Sequence, residues 1–242
     1  MDITKVTDPA RKLLKLRLKY CGAVIVAAGS ASRMEGIDKV MAPLGGEPMI
    51  VHTVRSFQRS DVIREIVVVT REDLLMQVMD LCHGFDKVKA VVVGGSSREE
   101  SVRMGLATLS ERCKLVAVQD GARPLVSQQV IDRAVRAANA FGAAAPAIAV
   151  KDTLKVIQAG LVDHTPDRST LRAVQTPQVF DADLLRVALT EAAGKGWSIT
   201  DDCSAVERMG MKVRLVEGDE RNIKVTTPLD LKIAHLLLEE TL

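Results

Sequence analysis

The sequence has few aromatic residues and no excess of either charge. Phe, Trp and Tyr together make up 2% of its 242 residues, whereas hydrophobic residues make up 47%. The core is therefore expected to consist of Val, Leu, Ile and Ala. Lys and Arg number 33 against 31 Asp and Glu, and a general nucleic-acid binder would need a strongly basic face instead. We expect no nucleic-acid partner.

Cysteine is also sparse, and its spacing excludes two common uses. Cys21, Cys82, Cys113 and Cys203 lie far apart with no C-x-x-C pair, so neither a zinc site nor a disulfide framework is indicated. No apolar run reaches transmembrane length. Cations alternate with leucines over residues 11–19, which denies a signal peptide its continuous apolar core. We expect reduced thiols in a cytoplasmic protein without a membrane segment.

Apolar β-branched runs alternate with segments of helical spacing along most of the chain. The predicted strands are Ala23–Ala27, Glu65–Thr70, Val88–Val93, Leu115–Gln119 and Ala145–Val150. The predicted helices between them are Met49–Arg59, Leu74–Cys82, Ser97–Leu109 and Gln128–Phe141. This alternation predicts an α/β fold with a mainly parallel sheet covered by helices on both faces. Ligands in such sheets bind beyond the carboxyl ends of the strands.

The pattern changes after Val150. Two short alternating stretches joined across Gln158-Ala159-Gly160 predict a protruding β-hairpin arm over residues 150–171. A two-stranded ribbon is barely stable alone, so we expect the arm to pack against a second subunit. Further helices, a strand near Lys212–Val216 and a helix from about Pro228 follow. We predict a basic extension over residues 1–22 and a single domain, with this arm, over residues 23–242.

The loop after the first predicted strand has the parts of a phosphate site. Its small residues Ala27, Ala28 and Gly29 allow the backbone to approach a ligand closely, although neither the P-loop nor the G-x-G-x-x-G pattern is present. Arg33 is suited to grip phosphate oxygens in a forked geometry, and Lys39 to act as a point charge on a transferring phosphoryl group. The alternative is a tight turn followed by two solvated cations.

Two later loops also follow predicted strands. Gly94 and Gly95 free the backbone for contacts to a base, while the alternative for this loop is a capping box of Ser97 with Glu100. Asp120 ends a buried strand, where a carboxylate is costly unless it is paired or binds a metal. It is placed to bind Mg²⁺ on a triphosphate; the alternative is an ion pair with Arg123 across the turn.

Seven short motifs occur in one order along the chain. They are A-A-G-S-x-S-R-M with Asp38-Lys39, then G-G-x-x-R-x-x-S-V, D-G-A-R-P, D-T-x-K, T-P-Q, I-T-D-D and E-G-x-x-x-N-I-K-V-T. Together these motifs resemble the 2-C-methyl-D-erythritol 4-phosphate cytidylyltransferase family of the non-mevalonate isoprenoid pathway. The resemblance covers about Ala23 to the C-terminal helix. It implies a Rossmann-like sheet and a nucleotidyltransferase that uses CTP, a divalent cation and a polyol phosphate.

The resemblance also implies roles for individual residues. Catalysis and triphosphate binding would involve Arg33, Lys39 and Lys224 with the loop Ala27, Ala28 and Gly29. Cytosine would be contacted by Gly95 and Ser101, and Mg²⁺ would be held by Asp120. The acceptor side would comprise Arg123, Thr153, Arg168, Thr176 and Thr200. Of these, Thr153 and Arg168 on the arm would reach a substrate bound in the partner subunit of a homodimer.

The chain departs from the family pattern at two relevant positions. Ser96 stands where an aspartate is frequent, so we expect CTP selectivity to rest on backbone groups. Arg221 stands where an acidic residue is common, which leaves Asp219 or Glu220 as the source of a second metal carboxylate. Two rival functions remain open: a cytidylyltransferase for another polyol phosphate such as ribitol 5-phosphate, and a nucleotide-binding module without turnover.

Overall fold

The computed structural model describes residues 17–29 and 38–240, and its centre is an eight-stranded sheet. The sheet strands are β1 (Cys21–Val26), β4 (Ile63–Thr70), β5 (Val88–Val93), β6 (Leu115–Asp120), β7 (Ala143–Ala149), β10 (Arg172–Val174), β11 (Gln178–Asp181) and β12 (Arg214–Glu217). Two small ribbons pair β2 (Pro43–Leu44) with β3 (Glu47–Pro48), and β8 (Val156–Gln158) with β9 (Leu161–His164).

Seven helices are present in the described residues. They are α1 (Met49–Arg59), α2 (Leu75–Cys82), α3 (Arg98–Thr108), α4 (Gln128–Phe141), α5 (Ala182–Gly194), α6 (Asp202–Arg208) and α7 (Pro228–Glu239). Short 3₁₀ turns cover Glu72–Leu74 and Arg168–Thr170. The helical segments predicted from apolar spacing agree with these bounds to within one or two residues, because each carries a buried stripe.

Most of the sheet is parallel, as predicted. Strand β1 pairs in parallel with β4 and β6, β4 with β5, and β7 with β12. Strands β10 and β11 are antiparallel and were not predicted. At three and four residues they are too short to show an alternation of their own. Val174 pairs with Ala147 of β7, and Val179 pairs with Ala144 of β7. The segment from β10 to β11 therefore advances five residues while β7 advances three, and the extra residues form a bulge at Thr176–Pro177.

Helices cover both faces of the sheet, which confirms the predicted α/β class. In β1, Ala23 and Ile25 belong to one buried cluster, whereas Val24 belongs to the other. Helices α1, α2 and α4 pack on the first face, and α3, α5 and α6 pack on the second. The period-two alternation of strand side chains therefore divides the core into two layers. Both layers consist mainly of aliphatic side chains, as the composition indicates.

The arm is the predicted hairpin, with the first strand shifted towards the turn and the second strand longer than predicted. Strand β8 begins at Val156 rather than Thr153, and β9 extends to His164. Ala159 and Gly160 have φ values of 49° and 82°, the left-handed pair that a two-residue hairpin turn with the strand twist requires. All residues of the ribbon strands are exposed.

The described chain begins inside the predicted basic extension. Residues 1–16 of that extension lie outside the described residues, and residues 17–20 lead directly into β1, which starts at Cys21 rather than Ala23. Among residues 17–29 and 38–240, no helix combines the length and the hydrophobicity needed to cross a bilayer.

Candidate active site

A cleft of about 350 Å³ opens where β1, β5 and β6 end. Parallel strands bring their carboxyl ends to one edge of the sheet, and the loops that follow them meet there. Eight of the predicted site residues line the cleft: Ala27, Ala28, Gly29, Lys39, Gly95, Ser101, Asp120 and Lys224. The structure therefore has a cleft at the carboxyl ends of the strands, where the sequence predicts ligand binding.

The Ala27-Ala28-Gly29 segment forms one wall of the cleft. Ala27 donates its backbone N–H to Val69 O at 2.7 Å, which extends the pairing of β1 with β4 to the cleft edge. A Cβ built on Gly29 would lie 3.5 Å from Lys39 Nζ, so the ammonium group lies directly against the small-residue loop. Arg33 lies outside the described residues, and its predicted role stays a prediction.

Asp120 is the anionic centre of the cleft and is 8% exposed. Its Oδ2 lies 2.8 Å from Lys224 Nζ and 3.8 Å from Arg123 Nε, and its Oδ1 lies 3.4 Å from Arg98 Nε. Burial alone would raise the pKa of this carboxyl group, but Arg98, Lys224 and Arg123 hold it below its ordinary value. The carboxylate is therefore ionised at neutral pH.

The Asp120–Arg123 pair considered from the sequence is thus present, but it is the longest of three. Arg123 is anchored elsewhere by a 2.6 Å hydrogen bond from its Nη1 to Asn222 O. Burial lowers the pKa of Arg123, and the Asp120 charge opposes that shift. Lys224 lies on an irregular segment that Asn222 ties to the bulge through a 2.9 Å hydrogen bond from its Nδ2 to Thr176 O.

Arg98 is a cleft residue to which the sequence analysis assigned no role. Its Nη2 lies 2.8 Å from Oδ2 of Asp202, a residue with no exposed surface. Burial would lower the pKa of Arg98, but the charges of Asp202 and Asp120 outweigh it and raise that pKa. Burial raises the pKa of Asp202, against the attraction of Arg98. The Arg98 guanidinium group thus connects the Asp120 carboxylate, which lines the cleft, to the fully buried Asp202 carboxylate.

The sequence does contain a signal for this pair. Arg98 is the first residue of α3, where the partial positive charge of a helix N-terminus repels a cation. Asp201 already caps α6 by accepting the backbone N–H of Ser204, so the following Asp202 is not needed as the cap. A cation in the first turn of a helix, such as Arg98, together with a carboxylate that is not needed as a cap, such as Asp202, indicates a buried ion pair.

A second cation at the cleft, Arg71, was also missed. It follows β4 directly and forms an ion pair with Asp38, the residue before Lys39. It also pairs with Asp73 at 2.7 Å. Asp38 in turn accepts the backbone N–H of Val40 at 3.0 Å. Arg71 therefore fixes the start of the segment that carries Lys39.

The remaining wall is the loop from Gly94 to Ser97. Gly94 leaves no room for a side chain, because its Cβ would lie 2.5 Å from Ala28 Cβ. Ser101 is buried, and its hydroxyl accepts from Gly95 N at 3.1 Å and donates to Ser97 O at 2.9 Å. Ser97 caps α3, accepting from Glu100 N at 3.0 Å. The Glu100 carboxylate, however, accepts from Ser96 and does not complete the expected capping box.

The predicted acceptor-side residues divide into two groups. Arg123 and Thr176 adjoin Asp120, whose backbone N–H is donated to Thr176 Oγ1 at 3.1 Å. Thr200 is exposed before α6, where its N–H is donated to Ser204 Oγ at 3.1 Å. Thr153 and Arg168 are exposed on the arm, and Arg168 Nη1 donates to Lys151 O at 2.7 Å. None of these five is among the residues that line the cleft.

Asp120 is the one carboxylate that lines the cleft within residues 17–29 and 38–240, and it is the group that could bind a divalent cation. The described residues contain no cluster of three or more His, Cys, Asp or Glu side chains suited to a metal ion. Glu220 pairs with Lys151 at 2.6 Å, and Asp219 accepts the backbone N–H of Arg221 at 2.9 Å; neither lines the cleft. A single carboxylate fits Mg²⁺ only when substrate phosphates and water supply the other ligands, which is the usual arrangement in phosphoryl-transfer sites.

The cleft lies where a mainly parallel α/β sheet binds its ligands, and the cations around Asp120 suit the phosphates of a nucleotide, as in a nucleotidyltransferase. Residues 21–240 match the family described as IspD: 2-C-methyl-D-erythritol 4-phosphate cytidylyltransferase. The chain belongs to this family.

Individual relatives agree with the family match. The chain is 42% identical over 224 residues to 2-C-methyl-D-erythritol 4-phosphate cytidylyltransferase of Caldanaerobacter subterraneus subsp. tengcongensis, covering 90% of this chain and 98% of the relative. Among solved structures, 4-diphosphocytidyl-2C-methyl-D-erythritol synthase of Anaerococcus prevotii superimposes with a TM-score of 0.83 at 31% identity, covering 91% of this chain and 96% of the other. The cytidylyltransferase of Thermus thermophilus gives 0.73 at 32% identity, covering 91% and 99%.

Proposed function

We propose that this protein transfers the cytidylyl group of CTP to 2-C-methyl-D-erythritol 4-phosphate, giving 4-diphosphocytidyl-2-C-methyl-D-erythritol and pyrophosphate. A phosphate oxygen of the acceptor attacks the α-phosphorus of CTP, and the bond from that phosphorus to the bridging oxygen of pyrophosphate breaks. Membership of the family favours this reaction over transfer to ribitol 5-phosphate. The observation that supports it most directly is that Lys39 and Lys224 line one cleft with Asp120.

Charge repulsion is the main obstacle to this reaction. The acceptor phosphate and the triphosphate are both anionic, so catalysis consists of positioning and of preorganised positive charge at the reacting phosphorus. In the proposed complex, Arg33 and Lys39 hold the triphosphate beside the Ala27-Ala28-Gly29 loop, and Lys39 and Lys224 stabilise charge at the α-phosphorus. No covalent nucleophile is required.

We assign the divalent cation, Mg²⁺ by its preference for oxygen ligands, to Asp120. When bound, it would neutralise charge on the triphosphate and orient its oxygens. Lys224 and Arg98 contact the Asp120 carboxylate in the structure. They keep the carboxylate ionised, which a metal ligand requires.

We further propose a homodimer formed through the arm. Four apolar side chains of the ribbon are between 41% and 75% exposed: Val156, Ile157, Leu161 and Val162. A second copy of the chain would cover them, with Thr153 and Arg168 facing the acceptor in the partner's cleft and Arg123, Thr176 and Thr200 completing the site from the other side. Analytical ultracentrifugation at about micromolar concentration tests this assembly; a monomeric mass would contradict it.

The cellular location that we propose is the cytoplasm. All four cysteines are free and buried, and unpaired thiols are typical of proteins in a reducing compartment.

The decisive test of the catalytic assignment is Lys39→Ala. Removing one preorganised charge at the reacting phosphorus typically costs on the order of 10²–10³ in rate, so we expect that loss in kcat for pyrophosphate release from CTP, Mg²⁺ and the methylerythritol phosphate. Lys89→Ala is the matched control, because Lys89 is exposed outside the cleft and its Nζ donates to Asp86 O. Near-native turnover of Lys39→Ala would contradict the mechanism, and the same assay with ribitol 5-phosphate tests the rival acceptor.

A further inference from the structure

The part of the cleft lined by Gly95, Ser96 and Ser101 carries no charged side chain. The cations of the cleft, Lys39, Arg71, Arg98 and Lys224, would attract the triphosphate, together with the divalent cation that we assign to Asp120. The Gly95–Ser96 backbone and the Ser101 side chain form the uncharged wall. An uncharged wall with closely approaching backbone is suited to a base rather than to phosphate. We therefore expect the base of the nucleotide at this loop, where Ser96 is exposed and lines the cleft.

The proton of the Ser96 hydroxyl is already committed. Glu100 Oε2 lies 2.8 Å from Ser96 N and 2.8 Å from Ser96 Oγ. An ionised carboxylate can only accept hydrogen bonds, so the hydroxyl group must be the donor. The Ser96 interactions hold the pKa of Glu100 below its ordinary value, with the hydroxyl as the main cause. Glu100 is therefore ionised at neutral pH, and Ser96 Oγ can offer a ligand only its lone pairs.

The local fold keeps Glu100 in this position. Glu100 is the third residue of α3, and its N–H is held by the Ser97 cap at 3.0 Å. Gly95 makes room for its side chain, since a Cβ there would collide with Glu100 Cγ. The carboxylate is not among the groups that line the cleft. Glu100 therefore accepts the Ser96 proton without lining the cleft itself, and the hydroxyl oxygen keeps its capacity to accept a hydrogen bond.

We propose that the Ser96–Glu100 pair is a specificity device that selects cytosine over uracil. Cytosine presents an exocyclic amino group, which donates to Ser96 Oγ. Uracil presents a carbonyl oxygen at the same position, whose lone pairs would oppose those of the hydroxyl. A site built to accept a hydrogen bond discriminates against an analogue that lacks the donor. This inference deepens the proposed cytidylyl transfer, on which it rests, and it changes the sequence-based expectation that selectivity rests on backbone groups alone.

The test compares CTP with UTP in wild-type protein, Glu100→Gln and Ser96→Ala. The ratio of kcat/KM for CTP to that for UTP is measured by pyrophosphate release, and the ratio of dissociation constants is measured by calorimetry with each nucleotide alone. In Glu100→Gln the side chain can donate as well as accept, so the Ser96 hydroxyl is free to rotate and donate to uracil. We expect both ratios to fall by about tenfold in each variant, through weaker use of CTP and better use of UTP.

Glu99→Gln is the matched control, because it makes the same change of charge in the first turn of α3 without touching Ser96. Its ratios should equal those of the wild type. If Glu100 merely stabilised the loop, Glu100→Gln would weaken both nucleotides equally and leave the ratios unchanged, which would overturn the proposal. A wild-type protein that bound CTP and UTP equally would also overturn it. Failure of the transfer reaction itself is distinguished by absent pyrophosphate release in the wild type with CTP.

Discussion

Replacing Asp202 by alanine tests whether the buried ion pair behind the cleft stabilises the fold. The Asp202 carboxylate has no exposed surface and lies 2.8 Å from Arg98 Nη2. After the substitution, Arg98 would keep only its 3.4 Å contact to Asp120 Oδ1. Among the described residues no other carboxylate pairs with it.

The expected cost follows from the burial of the two partners. Removing one partner of a buried ion pair costs about 3–5 kcal/mol, because the other charge remains without compensation. The Arg98 side chain is 31% exposed and retains Asp120, so we expect the lower end, about 3 kcal/mol. In a domain of this size that loss lowers the melting temperature by roughly 6–12 °C. Urea unfolding followed by circular dichroism measures the free energy directly.

A double variant shows whether Asp202→Ala is destabilised by the uncompensated charge of Arg98 or by the loss of the Asp202 side chain itself. Arg98→Met combined with Asp202→Ala leaves the same space at position 202 as the single variant but removes the arginine charge as well, so no uncompensated charge remains behind the cleft. We therefore expect the double variant to be more stable than Asp202→Ala. The reasoning is refuted if Asp202→Ala unfolds within about 1 kcal/mol of the wild type, or if the double variant is the least stable of the three.

Two further predictions concern protonation. Burial raises the pKa of Cys82 to about 11 and that of Cys113 to about 12, so thiol labelling with a disulfide reagent at about pH 8 should be slow in the native protein and fast in urea; rapid labelling of either native thiol contradicts this. Burial raises the pKa of Asp230, but hydrogen bonds from Thr226 and Thr227 outweigh this effect. They hold the pKa of Asp230 below its ordinary value of 3.8. The stability that Asp230 contributes is therefore present above about pH 4 and lost as the pH falls through the lower folded-state pKa. Asp230→Asn should lower the free energy of unfolding by about 1 kcal/mol at pH 7. The midpoint of urea unfolding should also fall less steeply in the variant as the pH is lowered. An unchanged pH dependence of that midpoint would exclude this role.

The main elements were predictable because each is specified by nearby residues. Continuous apolar runs such as those of β4 and β6 mark strands buried on both faces, and the spacing in α1 and α4 marks amphipathic helices. Strands β10 and β11 escaped prediction because three or four residues carry too little pattern. Both strands pair with β7, which lies between β10 and β12 and also contacts β11. Their place in the sheet therefore depends on a strand that is distant in the sequence.

The candidate site was predictable where a loop directly follows a strand. Gly29, Gly95 and Asp120 meet at the cleft because parallel strands end at one edge. The sequence motifs were sufficient to indicate the family, and the small-residue loops were sufficient to indicate close approach of a ligand. The roles of Thr153 and Arg168 on the arm stay predictions, because they require the second subunit that we propose.

The sequence by itself determined the longer strands and helices, the cleft loops and the family, since these depend on local periodicity and short motifs. Only the tertiary structure decided which charges face each other. Arg98 at the start of α3 pairs with Asp202 at the start of α6 and with Asp120 at the end of β6, and the Ser96 hydroxyl group donates its proton to Glu100. Ion pairs and hydrogen bonds act over a few ångströms, so their partners are fixed by packing and not by distance along the chain.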